Sequence, residues 1–352
     1  MTDFVQWLDL PIAPINADAR EQATEKQSQL TKPAGSLGLL ETVAIQLAGL
    51  QSSLKPTIDK VQITVFAADH GIVSEGISAF PQAVTAEMIR NFSRGGAAIS
   101  VLANENNAKL TVVNVGTVGE LEALTHVQDA RIAAGTHNFA QQAAMSAEQC
   151  HQAMMIGRQI AQQAKETSMD LFIGGEMGIG NTTAATAIAS ALLNIPAEQL
   201  AGPGTGLNVE QVSHKASVIT AAIKKHKNYI HTPLDTLQYL GGFEIAALVG
   251  CYLHCAKIGL PVLIDGFITS VAALVAQRIQ PDSKHWFLFS HQSAEPGHQA
   301  ILSELEATPL LDINMRLGEA SGAAVSLPLI KLSCSLHNNM ATFAEAAVSG
   351  QS

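Results

Sequence analysis

The sequence predicts an α/β protein with a mostly parallel sheet of about six strands flanked by helices. Hydrophobic residues make up 47% of the 352-residue chain but aromatic residues only 5%, so the core must consist mainly of Ala, Val, Ile and Leu. Short apolar runs also alternate along the chain with longer helical patterns. Both observations are typical of a parallel sheet that is covered by helices and joined by right-handed crossovers.

The candidate strands are apolar runs that each end in glycine or a polar residue. Five runs are clear, and a sixth at 130–136 is weaker; the clear runs are 61–71, 109–116, 169–175, 260–266 and 285–291. Polar side chains and glycines gather where these runs end, for example at Asp69-His70-Gly71 and Asp265-Gly266. Because ligands of open α/β sheets bind at the carboxyl ends of the strands, the sequence predicts a ligand site at this edge.

The two ends of the chain differ from its middle. Residues 1–55 contain two helical patterns separated by "KPAGSLG" and no strand, and the segment after Gly318 is also helical. We therefore expect 1–55 and 325–352 to form a small helical domain together, and 56–324 to form the α/β domain that carries the site.

Charge and composition exclude several classes of protein. The formal net charge of −10 argues against a nucleic-acid partner, because phosphate backbones select basic surfaces. The sequence has neither a signal-peptide pattern nor an apolar run long enough for a membrane span, so we expect a cytoplasmic protein. Among its four cysteines, Cys251 and Cys255 are four residues apart in an apolar helical pattern. A buried helix face explains this spacing better than a metal site, because no second ligand pair has zinc spacing.

The segment "LFIGGEMGIGNTTAATAIASALL" (171–193) is the first candidate site motif. A buried strand precedes its glycines, and Asn181 and Thr182 are suited to begin the following helix. Such a helix start binds anions, although the lysine of a Walker loop is missing. A tight turn that packs the helix on the sheet is the alternative. A second glycine segment, "GPGTGL" (202–207), is followed by Lys215 and by itself indicates no more than a turn.

Isolated acidic residues and histidines are further candidates. Glu319 lies among glycines and small residues in "LGEASGAA", where it is either a general base or an acid that the helix dipole favours. Asp69 and His70 are either metal ligands or strand-end hydrogen-bonding groups, and the absence of a third ligand at a recognisable spacing favours the latter. His291 and His298 show no partner pattern.

Nine segments in order give the sequence a family resemblance. They are "KPAGSLGLLE", "AADHGI", "FPQAVTAEM…GGAAISVLA", "GGEMGIGNTTAA", "GPGTGL", "LGGFEI", "PVLIDGFITSVAAL", "SHQSAE" and "MRLGEASGAA". Together they resemble the nicotinate-nucleotide–dimethylbenzimidazole phosphoribosyltransferase family of cobalamin biosynthesis. The resemblance implies a Rossmann-like sheet, a small helical domain made from both chain ends, and a homodimer. It also implies that the substrates are nicotinate mononucleotide and a benzimidazole-type base. Because the leaving group of that reaction is already charged and no ligand cluster has the spacing of a metal site, we expect that no cofactor or metal is needed.

The resemblance also implies roles for individual residues. Glu319 would be the general base, and Glu176 would lie near the ribose or the reacting centre. The residues implied to bind the nucleotide and its phosphate are Gly175, Gly178, Ile179, Gly180, Asn181, Thr182, Gly204, Lys215, Asp265 and Ser293. The residues implied to form the apolar slot for the base are Phe80, Pro81, Met88, Met177 and Leu317.

Three positions depart from the family pattern. Phe80 and Met88 stand where the enterobacterial form is expected to have polar residues, which leaves the preferred base open. Asn114 replaces an expected Asp, a change that we interpret as structural.

Two other classes of protein remain as alternatives. An NAD-linked oxidoreductase is disfavoured, because no glycine fingerprint opens the first strand–helix unit and no acidic residue follows at the expected distance. A non-catalytic nucleotide-binding module predicts nucleotide affinity without turnover, and the presence of Glu319 counts against it.

Overall fold

The protein contains one six-stranded parallel sheet with the strand order β3-β2-β1-β4-β5-β6. A computed structural model describes residues 2–204 and 206–349. The strands are β1 (Val61–Ala68), β2 (Lys109–Gly116), β3 (Val127–Asp129), β4 (Leu171–Met177), β5 (Val262–Ile264) and β6 (Phe287–Phe289). The parallel α/β architecture and the number of strands predicted from the sequence are confirmed.

Fourteen α-helices lie in the described residues. They are α1 (Thr2–Leu8), α2 (Ala17–Gln29), α3 (Leu39–Gln51), α4 (Ala83–Arg94), α5 (Ala98–Glu105), α6 (Ala147–Glu166), α7 (Asn181–Leu193), α8 (Ala197–Leu200), α9 (Val209–His226), α10 (Pro233–Leu240), α11 (Phe243–Ile258), α12 (Phe267–Ile279), α13 (His298–Glu304) and α14 (Ser321–Asn339). Short 3₁₀ helices span Gly71–Glu75 and Pro281–Trp286. No helix in these residues combines the length and the apolar character that crossing a bilayer requires.

The weakest strand prediction was wrong in position. The edge strand β3 is Val127–Asp129, whereas 130–136 lies outside the strand. Ala130 and Ile132 still donate backbone hydrogen bonds to carbonyls of β2, so the chain continues beside that strand. Gly135 then adopts a left-handed φ of 79°, which an extended strand cannot contain.

The order of the strands places a crevice above the centre of the sheet. β1 pairs with β2 on one side and with β4 on the other. The strands β2 and β3 are added on the first side of β1, and after β3 the chain crosses back to add β4, β5 and β6 on the other side. The glycine segment that follows β4 therefore emerges beside the end of β1. In open parallel sheets this switch point is where ligands bind.

Both faces of the sheet are covered by apolar side chains. One core contains much of α6, α7, α11 and α12, and residues 243–256 of α11 are all buried. Cys251 and Cys255 lie in this stretch as buried free thiols, so their spacing reflects packing as predicted. The second core joins residues of α3, α4, α5 and α14 to the opposite face.

Helices from the two ends of the chain are in contact. The Ser333 hydroxyl in α14 donates to the carbonyl of Leu40 in α3. The Gln27 amide in α2 hydrogen-bonds to His337 in α14 at 2.9 Å. Whether 1–55 and 325–352 form a domain of their own stays a prediction, because α3 and α14 also contribute to the second core.

Candidate active site

A cavity of 330 Å³ opens at the carboxyl edge of the sheet. Its walls come from the segment after β4, the start of α12, the loop after β6 and the turn before α14. The predicted site residues that line it are Glu176, Met177, Gly178, Ile179, Asn181, Thr182, Gly204, Asp265, Ser293, Leu317 and Glu319. The structure thus brings together segments that are more than 140 residues apart in the chain.

Glu319 is held in an unusual backbone turn. Gly318, Glu319 and Ala320 all have left-handed φ angles, of 86°, 62° and 69°. For the two residues with side chains this conformation costs on the order of 1–3 kcal/mol each, so the surrounding contacts must maintain it. The Glu319 side chain is only 6% exposed, and burial raises the pKa of its carboxyl group to about 7.

Glu176 connects this turn to the glycine segment. It accepts hydrogen bonds from the Asn181 side-chain amide at the start of α7 and from the backbone N–H of Glu319. Burial raises the pKa of Glu176 well above its usual range, and the negative charges of Glu244, Asp265 and Glu319 raise it further. Gly175 packs closely behind the same turn, because a Cβ atom there would lie 2.7 Å from the Ala320 nitrogen.

The side chain of a buried lysine from α9 lies beside the start of α7. Lys215 reaches this point from α9, and its Nζ is 3.1 Å from Thr182 Oγ1 and 3.3 Å from the Gly202 carbonyl oxygen. The side chain is 1% exposed, and burial lowers its pKa to about 8, although Glu295 opposes that shift. Lys215 does not itself line the cavity, but Thr182 and Gly204 beside its Nζ do.

Several N–H groups of the glycine segment already have partners within the protein. Ile179 donates to Thr85 Oγ1 at 3.2 Å, Asn181 donates to the Gly178 carbonyl at 3.1 Å, and Thr183 donates to the Gly180 carbonyl at 3.1 Å. One side of Gly178 also faces the Ala68 carbonyl so closely that a Cβ atom would collide with it. Packing therefore accounts for part of the glycine pattern, and an anion would need donors besides the backbone.

Two charged residues of the cavity were missed by the sequence reasoning. Arg316 Nη1 donates to the Gly204 carbonyl at 3.0 Å, and the Gly204 N–H donates to the Glu295 carboxylate. Burial raises the pKa of Glu295, while the positive charges of Lys215 and Arg316 counteract the shift. Both residues belong to segments quoted for the family resemblance, but only the fold shows that they meet. His291, for which the sequence showed no partner pattern, also lines the cavity.

The predicted slot for the base is only partly assembled around the cavity. Met177 and Leu317 line it, and Leu317 is 56% exposed. Phe80, Pro81 and Met88 do not line it, and Phe80 is 46% exposed. Gly175 and Gly180 likewise lie outside the lining and pack behind the cavity wall.

The strand-end residues Asp69 and His70 make hydrogen bonds within the protein. Asp69 accepts from Thr85 Oγ1 at 2.6 Å and from the Val118 N–H at 2.8 Å. His70 Nε2 lies 2.6 Å from Glu244 Oε1, and both side chains are fully buried. In the described part of the chain, no group of three or more His, Cys, Asp or Glu residues is arranged to hold a metal ion. The hydrogen bonds of Asp69 and His70 confirm that these residues are strand-end hydrogen-bonding groups.

Asn114 at the end of β2 also has a structural role. Its side-chain oxygen accepts from the N–H groups of Gly116 and Thr117 at 3.2 and 3.0 Å, and its amide donates to Asp129 at 2.9 Å. These bonds fix the turn after β2 and connect it to the edge strand.

Comparisons with known proteins show which family the chain is similar to. A family model described as "Phosphoribosyltransferase" matches residues 12–348. The chain is 58% identical to a nicotinate-nucleotide–dimethylbenzimidazole phosphoribosyltransferase of Pseudomonas putida, over 95% of each chain. It is 55% identical to the enzyme of that name from Pseudomonas aeruginosa, over 98% of each chain. The crystal structure of CobT from Thermus thermophilus is similar with a TM-score of 0.90 and 40% identity, covering 94% of this chain and 99% of that one.

Proposed function

Since the chain belongs to the phosphoribosyltransferase family, we propose that it transfers the phosphoribosyl group of nicotinate mononucleotide to 5,6-dimethylbenzimidazole or a related base. The names of relatives that match nearly the whole chain support this activity. The observation that carries the proposal is the buried Glu319 carboxylate, which lies in a strained turn at the cavity wall. The products are nicotinate and α-ribazole 5′-phosphate.

The chemistry of the substrates defines what the protein has to supply. The nicotinate ring is already a cationic pyridinium, so its bond to the anomeric carbon breaks without a proton donor. One nitrogen of the benzimidazole forms the new bond to that carbon, and the other nitrogen must lose its proton. A positioned general base contributes about 10²–10⁴-fold to such a step.

Glu319 has the properties of that base. Its pKa of about 7 lies near the pH at which a cytoplasmic enzyme works, so the carboxylate is available while retaining strong affinity for a proton. The left-handed turn is consistent with this role. Strained backbone persists only where the surrounding structure enforces it, and such residues cluster at active sites. We assign to Glu319 the removal of the benzimidazole N–H proton.

Lys215 and the start of α7 provide the elements of a phosphate site. The Lys215 ammonium, the Thr182 hydroxyl and the Arg316 guanidinium can bind phosphate oxygens, and the helix dipole adds to their attraction. Lys215 therefore supplies, from a different helix, the cation that a Walker loop carries within its motif. Asn181 and Gly204 would shape the same subsite, and Ser293 would contact the ribose or the phosphate.

Glu176 lies between the proposed phosphate site and Glu319. We propose that it acts near the ribose or the reacting centre, which is supported by its place in the cavity wall. Burial raises its pKa well above the usual range, and its hydrogen bonds from Asn181 and from the Glu319 N–H connect the two loops. A Glu176→Gln variant that kept most of the turnover would support positioning, whereas a loss as large as that of Glu319→Gln would support chemistry.

Met177 and Leu317 begin an apolar slot for the flat ring of the base. We propose that Phe80, Pro81 and Met88 complete it when a base is bound. Their apolar side chains favour benzimidazoles that carry methyl groups over purines with polar edges.

A direct assay tests the proposed function. The protein is incubated with nicotinate mononucleotide and, one at a time, dimethylbenzimidazole, benzimidazole, adenine and a phenol. We expect mass spectrometry to detect the riboside phosphate of dimethylbenzimidazole together with an equal amount of nicotinate. Formation of ribose 5-phosphate without a base adduct, or no turnover with any base, would contradict the proposal.

We further propose that the protein is a cytoplasmic homodimer. The four cysteines are all free and buried, which suits a reducing compartment. The dimer follows from the family resemblance, and light scattering of the purified protein would give twice the chain mass of 37.0 kDa.

A further inference from the structure

Asp265 binds the backbone that follows Glu319. It comes directly after β5, is 2% exposed, and its Oδ1 accepts from the Ala323 N–H at 2.7 Å. The N–H groups of Ala320 and Gly322 also donate to this carboxylate. One buried side chain thus binds three N–H groups, those of the N-cap residue Ala320 and of Gly322 and Ala323 in the first turn of α14.

The start of α14 has no cap of its own. The residue at the N-cap position is Ala320, which has no side-chain acceptor and a left-handed φ of 69°. The first N–H groups of a helix need partners from elsewhere when its N-cap residue is apolar. Asp265 provides them from a strand that is more than 50 residues away in the chain.

We propose that Asp265 is a positioning residue, which holds the Gly318–Ala320 turn so that Glu319 faces the reacting base. This inference rests on the proposed function of Glu319 and differs from the family-based expectation that Asp265 contacts the nucleotide. A carboxylate has about four acceptor positions, and three backbone N–H groups occupy most of those of Asp265. Little capacity is left for ribose hydroxyls.

The two carboxylates beside the turn, Glu176 and Asp265, bind different backbone N–H groups. Glu176 accepts from the N–H of Glu319 itself, whereas Asp265 accepts from the residues that follow. Loss of Asp265 would release the helix start, while the bond from Glu319 to Glu176 would remain. Glu319 would then be displaced rather than removed, and a displacement of about 1 Å is enough to slow catalysis about 10²-fold.

The test compares Asp265→Ala and Asp265→Asn with a matched control. Asp170→Ala is the control, because Asp170 also accepts a backbone N–H, from Lys60 at 2.8 Å, but precedes β4 at the opposite edge of the sheet. We expect Asp265→Ala to lower kcat about 10²-fold and to leave the affinity for nicotinate mononucleotide nearly unchanged. Asn retains an acceptor oxygen, so Asp265→Asn should recover a kcat within about tenfold of wild type. Asp170→Ala should change neither quantity.

Hydrogen exchange provides a readout that does not depend on activity. Positioning predicts faster exchange of the Ala320, Gly322 and Ala323 amides in Asp265→Ala, with a smaller increase in Asp265→Asn. A nucleotide affinity that falls in parallel with kcat, or unchanged exchange at these three amides, would overturn the inference. If Asp265→Ala does not fold, the same two readouts on Asp265→Asn decide. Absence of turnover in the wild-type protein would refute the proposed function. The hydrogen-exchange rates of the three amides would still test whether Asp265 holds the turn.

Discussion

Replacing Lys215 by methionine should selectively weaken the binding of phosphorylated ligands. Its Nζ lies beside Thr182 and Gly204, at the place where we propose the phosphate binds. A hydrogen bond to a charged group contributes about 1.5–3 kcal/mol. Since about 1.4 kcal/mol corresponds to a factor of ten, the Kd of nicotinate mononucleotide should rise about 10- to 150-fold.

The stability of this variant should change much less than its affinity. Lys215 is a buried cation whose hydrogen-bond acceptors in the described residues are neutral, and its lowered pKa shows that burial disfavours the charge. Methionine has a similar length and no charge, so its burial offsets the lost hydrogen bonds. Differential scanning fluorimetry without ligand should show a melting temperature close to that of wild type.

Calorimetry with paired ligands isolates the phosphate. The affinities of nicotinate mononucleotide and nicotinate riboside are measured for wild type and for Lys215→Met. A matched control is Lys257→Met, because burial also lowers the pKa of Lys257 to about 8 and its Nζ binds Leu8 and Gln280 outside the cavity. Equal losses for the nucleotide and the riboside, or a similar loss in the control, would refute a phosphate site at Lys215.

Three further predictions follow from the site. The kcat/KM of wild type should rise as the pH increases through about 7, because Glu319 must be ionised to act as the base. It should fall above about pH 8, because Lys215 then loses its proton. A pH–rate profile that is flat from about pH 6 to 9 would contradict both assignments. Gly178→Val should lower the free energy of unfolding by about 1–3 kcal/mol, since a Cβ atom would collide with the Ala68 carbonyl. A denaturant titration measures this change, and a variant as stable as wild type would contradict the expected collision. Turnover should persist after dialysis against a chelator, because the leaving group is already cationic, and restoration of a lost activity by one divalent ion would disprove this expectation.

Local sequence patterns were sufficient to predict most of the sheet. The strands β1, β2 and β4 are seven or eight residues long and mostly apolar or glycine, so their strand character is evident without tertiary information. The edge strand β3 was misplaced, because its three residues lack an apolar pattern and depend on pairing with β2. Short strands are defined mainly by their neighbours, and one sequence does not reveal those neighbours.

The candidate site was only partly predictable for a similar reason. Glu319 and the glycine segment have local signals, namely glycines and small residues at the start of a helix. The contact between Lys215 and Thr182 spans 33 residues, and the hydrogen bond that the Ala323 N–H donates to Asp265 spans 58. Only the fold determines such pairs, and they change how the residues are interpreted. In our proposals, Lys215 supplies the missing cation, and Asp265 supports Glu319 instead of binding the nucleotide.

The role of Glu319 is tested most directly by the single-turnover rate of Glu319→Gln with nicotinate mononucleotide and dimethylbenzimidazole both bound. Glutamine has nearly the same shape but cannot take up the benzimidazole proton. We predict a rate about 10²–10⁴-fold below wild type, with the affinity for nicotinate mononucleotide retained. A rate within a few-fold of wild type would contradict the assignment of Glu319 as the base, and Glu176 would then be the first residue to examine for that role.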